Sequence, residues 1–322
     1  MGRGNAVRNH FTFAQFQFEL ETVEPLQLPA YKGSTLRGAF GHAFKKVVCA
    51  LRTKTCGECL LNERCVYSYI FETPSPSTGP NHEQFKTAPH PFVILPPLDK
   101  KTRYAPGETI SFTLTLIGKA LEYLPYFIYT FHELGESGMG RARGKFRLKR
   151  VLRINGAEHR LVYDGEGKIL KQAYEPVSWQ TVIEKRPCTG SAVTLRFLTP
   201  VRIRLKDDLV LDLDFPIFFK SLARRIEALS AFHCGNTSDS TIKDLIQKSA
   251  DIHTQQRALT WYDWERYSNR QETKMKLGGF VGDITFAGDL GPFMPYMLLG
   301  EYIHVGKGTS FGLGKYEIHQ QN

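Results

Sequence analysis

Acidic residues are in deficit. The 322-residue chain has 32 Asp and Glu against 42 Lys and Arg, a formal net charge of +10. That imbalance favours a polyanionic partner, nucleic acid before membrane. Long hydrophobic runs are also missing. The longest, Leu121–Phe131, contains Glu122 and is too short to cross a bilayer. The opening residues MGRGNAVRNHFTF lack the apolar h-region of a secretory signal. The expectation is therefore a cytoplasmic protein with no membrane partner. Cysteine is scarce, at six residues. In a reducing compartment these read as thiols or metal ligands, not as a disulfide framework. The GxxxxGK[ST] phosphate loop is absent, and neither basic stretch, 138–153 or 196–206, carries an RNP1-type aromatic motif. Walker-type nucleotide hydrolysis and base stacking on a sheet are not expected.

What the chain does have is a glycine-rich tail. HVGKGTSFGLGKYEI, His304 to Ile318, places Gly306, Gly308, Gly312 and Gly314 within nine residues, interleaved with Lys307, Thr309, Ser310 and Lys315. Glycine accepts positive φ and has no Cβ, so such a loop can bring bare N–H groups up to a phosphate backbone. The bland alternative is a tight turn.

The pattern along the chain is mixed. Residues 11–28 read as a strand, with a bulge or a wide buried strand because Phe11, Phe13 and Leu20 do not share one parity. A helix is predicted over 35–51 with Ser34 as N-cap. The Pro/Ser/Gly-rich passage 72–91 is loop, and 92–95 and 109–117 are strands. Helix is predicted over 120–134, kinked or delayed by Pro125, then a basic strand over 145–153. Pro176, Pro187 and Gly190 break the pattern. The domain boundary is set there, giving domains 1–186 and 187–322. The second half predicts strand 193–205, helix 218–232, a helical or mixed segment 242–259, strand 278–286, helix 293–303 and strand 316–318. Each half follows the βαββαβ order. The expected fold class is α+β, two tandem ferredoxin-like (RRM-like) domains.

The first helix carries the candidate chemistry. At about 100° per residue, Leu36, Phe40, Ala43, Phe44, Val47 and Leu51 form one apolar stripe. His42 falls on the opposite face with Thr35, Gly38, Lys45, Lys46 and Cys49. Imidazole titrates near neutrality and can accept or donate a proton. An ammonium stabilises a developing negative oxygen. RNA supplies its own nucleophile, the 2′-OH beside each phosphate, so these groups suffice for transesterification without a metal. Tyr31, just before the helix, is a further hydroxyl that could serve the same side. The competing reading is a solvated basic face with an incidental histidine.

Two basic stretches suit a phosphate backbone. Arg141 and Arg143 precede a strand in which Lys145, Arg147 and Lys149 alternate with Phe146 and Leu148, setting three cations on one face. A second alternation runs through Arg196, Arg202, Arg204 and Lys206. Neutralising about six phosphates of a single strand gives a log–log salt slope of roughly −4. The competing reading is an edge strand protected by charge.

Cys49, Cys56, Cys59 and Cys65 form C-x6-C-x2-C-x5-C. Zinc, an iron–sulfur cluster and plain thiols are the three readings of this spacing. A metal here would staple a loop with little periodic apolar sequence.

The segments YKGSTLRGAFGHAFKKVVC, CGECLLNERCVYSYIFETP, GMGRARGKFRLKRV, KLGGFVGDITFAGDL and HVGKGTSFGLGKYEI together resemble the CRISPR-associated endoribonucleases that process precursor CRISPR RNA, the sixth Cas family of the RAMP superfamily. The resemblance spans essentially the whole chain. It implies two ferredoxin-like domains, a C-terminal glycine-rich loop, and metal-free cleavage of repeat RNA to 5′-OH and 2′,3′-cyclic phosphate ends. It also implies a first-helix histidine as general acid or base: here His42, with Tyr31 and Lys46 or Lys45 as helpers. The implied partners are CRISPR repeat RNA and CRISPR effector subunits, with the chain a monomer or homodimer. Two other classes remain open: a non-catalytic RNA-binding subunit of an effector complex, and a redox iron–sulfur protein.

Overall fold

The computed structural model describes residues 10–52, 55–73, 88–171, 174–186, 191–205, 208–235, 241–263, 265–268, 273–276 and 278–320. The chain divides into two compact units. One is Phe11–Val177 with Ala228–Asn236; the other is built mainly from Ser178–Glu227 and Thr237–Asn322.

The first unit runs β1 (Thr12–Thr22), α1 (Gly33–Val48), β2 (Phe92–Leu95), β3 (Thr109–Ile117), α2 (Leu124–Ser137), β4 (Phe146–Asn155) and β5 (Glu158–Asp164). Its sheet order begins β2-β3-β1-β4-β5, with these pairs antiparallel. The first four strands have the ferredoxin-like order, the first strand lying between the third and the fourth. Alternation in β1 buries Phe16, Phe18 and Leu20. The uneven parity comes from burial on both faces at the strand's start, where Phe11, Phe13, Ala14 and Phe16 are all covered. Separately, β4 carries a bulge, since Glu19 pairs with Arg150 but Leu20 with Leu148, so Lys149 is its extra residue.

An aromatic core fixes α1. Leu36, Phe40 and Phe44 recur every fourth residue and are fully buried. Phe40 stacks on Phe127 and Phe131 of α2, with ring centroids 4.8 and 5.1 Å apart, and touches Phe71 and Phe92. Truncating such a ring costs about 3–5 kcal/mol. The burial of this stripe turns the opposite face of α1, His42 included, toward solvent.

The second unit runs α3 (Trp179–Glu184), β6 (Ala192–Val201), α4 (Phe215–His233, whose residues from Ala228 on belong to the first unit), α5 (Thr241–Lys248), β7 (His253–Tyr262), β8 (Gly279–Ala287), α6 (Met294–Ile303) and β9 (Tyr316–Gln320). Its sheet order is β7-β8-β6-β9, all antiparallel, the same topology again. A hairpin, Glu265–Ser268 paired with Thr273–Lys276, interrupts the path from β7 to β8. The fold is α+β, with tandem ferredoxin-like units.

Several local expectations change. The N-cap position of α1 is Lys32, not Ser34. The Lys32 side chain is fully buried, and its Nζ donates to Asp99 at the carbonyl (2.8 Å) and at Oδ1 (3.0 Å). Ser34 Oγ has no hydrogen-bond partner among the described residues. The helix ends at Val48, so Leu51 lies outside it. Pro125 marks a start rather than a kink: a 3-10 stretch, Gly118–Tyr123, precedes α2. Strand β6 stops at Val201, and Arg204–Leu205 belongs to a separate two-residue ribbon with Asp208–Leu209. Segment 242–259 is helix only to Lys248; β7 follows, solvent-exposed along most of its length, so no apolar period announced it. The units divide at Val177/Ser178, before the expected 186/187. The reason is α3, whose buried Trp179 donates Nε1–H to the Pro295 carbonyl at 2.7 Å, tying this helix to α6.

Candidate functional site

On α1, His42 and Lys46 are exposed, one helical turn apart on the same face. The helix contains no carboxylate, and Lys45 and Lys46 occupy its last turn, where cations complement the helix dipole. A Cβ built on Gly38 would meet nothing within 4 Å, so the surface one turn before His42 is open. Lys45 is half-buried and lies over the Tyr67 ring, 5.3 Å from its centroid. The two lysines are thus sorted: one is held by an aromatic ring, the other faces solvent. Tyr31 sits before the helix start. His42 lies nine residues into α1, roughly 13 Å along the axis at 1.5 Å per residue, and no hydrogen bond joins the two. Burial holds the Tyr31 phenol well above its ordinary range, so it stays protonated.

The glycine-rich loop closes on itself. Val305 N donates to Gly314 O (3.1 Å), Lys307 N to Arg202 O (2.7 Å), and Gly314 N to Pro200 O (3.0 Å). A Cβ on Gly306 would stand 2.2 Å from Arg202 O, and one on Gly314 would stand 1.9 Å from Val305 O. With φ of +82° and +73°, these two positions require glycine twice over. Gly308 and Gly312 flank a 3-10 turn, Thr309–Phe311, with left-handed φ of +77° and +85°. At its start, the N–H groups of Gly308, Thr309 and Ser310 make no hydrogen bond to any described residue. Three successive unpaired amides thus lie beside exposed Lys307, with Thr309 and Ser310 themselves buried.

The cation stripe is less free than its spacing suggested. Arg147 donates to Glu21 (2.6 Å), Lys149 pairs with the same carboxylate (3.1 Å), and Arg150 grips Glu19 through two bonds of 2.6 and 3.1 Å. Lys149, then Arg147, hold the Glu21 carboxyl below its usual range. Arg141, Arg143 and Lys145, by contrast, are exposed, and none of their side chains has an ion-pair partner among the described residues. In the second stretch Arg196 forms a fork with Asp283 (2.9 and 3.0 Å), and Arg202 Nη1 donates to Gly278 O (2.8 Å). Arg204 is exposed. Lys206 lies outside the described residues.

The cysteines do not form a ligand set. Cys49, Cys56, Cys59 and Cys65 are free and half-buried. Among the described residues no three metal-ligating side chains converge, so the zinc or iron–sulfur reading is not supported. The CxxC is one 3-10 turn, Cys56–Glu58, and Cys65 follows another, Asn62–Arg64. Apolar anchors do the work assigned to a metal: buried Ile70 and Phe71, the Phe71 ring stacked 5.2 Å from Tyr67.

Residues 11–175, just over half of the chain, match the AF_1859_N family model, described as an N-terminal domain. Residues 195–316 match the model of the CRISPR-associated endoribonuclease Cas6. Over its second half the chain matches the Cas6 family. The Cas6 match takes in most of β6 and the glycine-rich loop. A comparison with curated proteins found no match. Among solved structures, a Cas6 product complex is similar with a TM-score of 0.58 at 17% identity, covering 96% of this chain and 99% of that one. Thermus thermophilus Cas6 is similar at 0.55 and 17%, with the same coverage. A partial Cas6-RT-Cas1–Cas2 complex gives 0.60 at 13%, covering 97% of this chain and 46% of that one. At such identities the likeness is one of fold. No described helix is long and apolar enough to cross a membrane.

Sequence reasoning missed the buried polar groups around the Cas6-type loop. His304 is 2% exposed, Lys315 Nζ donates to Glu301 O (2.8 Å), and Arg225 Nε donates to Ile303 O (3.0 Å). The only available signal was a histidine and a lysine bracketing the glycines.

Proposed function

We propose that this protein cleaves CRISPR repeat RNA without a metal and so generates guide RNA. The observation that carries the reading is the exposed His42 with Lys46 one turn on, beside an unobstructed helix surface. The 2′-oxygen attacks the adjacent phosphorus, its proton passes to a base, and the 5′-oxygen leaves with a proton from an acid. The products are a 2′,3′-cyclic phosphate and a 5′-OH. His42 fills one of these two proton-transfer roles, worth about 10²–10⁴-fold. Lys46 offsets the charge that builds on the phosphorane oxygens. Lys45, engaged with Tyr67, supports the helix end. Tyr31, kept protonated, serves as a hydrogen-bond donor to RNA rather than as a base.

The amides of Gly308–Ser310 and Lys307 bind phosphates, with Gly306, Gly312 and Gly314 shaping that loop. Arg141, Arg143, Lys145 and Arg204 add backbone contacts. Arg147, Lys149 and Arg202 contribute less, since internal partners already hold them. The similarity to a Cas6-RT-Cas1–Cas2 complex supports assembly with other CRISPR proteins. Incubation with repeat RNA in EDTA tests the proposal. Cutting supports the enzyme; binding without cutting supports a non-catalytic RNA-binding subunit.

A further inference from the structure

The glycine-rich loop is bracketed by a residue that looks out of place. His304 is not a glycine, yet its φ is +63° with ψ at 171°, a conformation that costs a side-chain-bearing residue energy. It is also buried, at 2% exposed. Its Nδ1 lies 3.1 Å from the carbonyl oxygen of Leu313. A carbonyl cannot donate, so Nδ1 carries the proton and gives it to that oxygen. The bond spans the loop from its first residue to its tenth. The backbone bond from Val305 N to Gly314 O lies beside it.

The surroundings favour a neutral ring in this role. Desolvation, then the nearby Lys315 ammonium, push the imidazole well below its ordinary range, and Arg225 acts in the same direction. Arg225 fixes the preceding carbonyl, Ile303 O, at 3.0 Å, and Lys315 fixes Glu301 O at 2.8 Å. The last turn of α6 and the far end of the loop are therefore tied from three sides.

We propose that His304 is the positioning residue of this loop, clasping its two ends so that the unpaired Gly308–Ser310 amides are held in one arrangement as a preorganised phosphate nest. This rests on the loop's reading as an RNA contact, but the clasp itself is testable without RNA. Preorganisation raises affinity by reducing the ordering required on binding.

Three variants separate the explanations. His304→Asn keeps a short amide donor and carries the same backbone strain as histidine. His304→Gly removes the donor and relieves the backbone. His304→Phe fills the volume without a donor. Amide hydrogen exchange of Gly306–Gly314 in the RNA-free protein is the first readout. Exchange should rise at least tenfold in His304→Gly and stay within threefold of wild type in His304→Asn. The second readout is repeat-RNA binding beside single-turnover cleavage at saturating RNA. Kd should rise at least tenfold for the Gly and Phe variants and under threefold for Asn, while the saturated cleavage rate holds. Wild-type exchange and affinity in a folded His304→Gly would overturn the clasp. So would a loss in His304→Asn equal to that in His304→Gly. If wild type binds no RNA, the functional reading falls, while the exchange data still decide whether His304 holds the loop.

Discussion

Replacing Gly314 by alanine tests the loop geometry with a magnitude that the structure sets. The residue has φ +73°, and an added Cβ would stand 1.9 Å from Val305 O. The left-handed conformation costs about 1–2 kcal/mol for an L-residue. The overlap is with backbone and cannot be relieved by a rotamer change, so about 1–3 kcal/mol of overpacking adds to it. The lower entropy of the unfolded alanine chain favours the variant by about 0.4–1 kcal/mol, which leaves a net loss of about 3 kcal/mol, within roughly 1–4.6. Gly308→Ala is the graded control. Its φ is similar, +77°, but the nearest obstacle is the tip of the Leu313 side chain at 2.8 Å, which can move. Its expected loss is about 1 kcal/mol. Thermal unfolding of the full chain is the assay, at about 2–4 °C per kcal/mol for a unit of this size. Equal melting temperatures for the two variants would refute the reasoning, because only the backbone clash separates them.

Four further outcomes are expected. Gly38→Ala on α1 should stabilise by about 0.5–1 kcal/mol, since the site is helical and open, yet slow cleavage; faster cleavage would show that RNA does not approach there. Changing Arg141, Arg143 and Lys145 together to Gln should make the salt slope of RNA binding shallower by about 2. Arg147→Gln should leave the slope nearly unchanged, because Glu21 already holds that charge, and a salt titration of binding compares the two. His304 has a depressed pKa, so its stabilising contribution is present above about pH 6.5 and is lost as pH falls below it, where the unfolded chain takes up the proton. Melting curves against pH should show that acid-side loss in wild type and a smaller one in His304→Asn.

The two-unit topology was legible because aromatic alternation and glycine punctuation follow the βαββαβ order in both halves. His42 was legible as an outward residue because Leu36, Phe40 and Phe44 share the opposite stripe. The partners of Arg147, Lys149 and Arg196 were not. Cross-strand carboxylates such as Glu19, Glu21 and Asp283 come into register only when strands pair, and the bulge at Lys149 moved Arg150 into reach of Glu19. Strand β7 was hidden because most of its length is exposed and carries no period. The cysteine spacing looked like a metal knuckle, but the aromatic residues after Cys65 anchor that loop instead. His304 was invisible as a site because its role depends on a carbonyl nine residues away.

The proposed cleavage depends on proton transfer by an outward-facing imidazole on α1. Its most direct test is single-turnover cleavage of repeat RNA in EDTA by wild type and His42→Ala, with the product ends identified. The expected result is 2′,3′-cyclic phosphate and 5′-OH ends from wild type, and a rate at least 10²-fold lower from a variant that binds RNA as tightly. Cleavage that stops in EDTA, or an alanine variant that cuts at the wild-type rate, would contradict it.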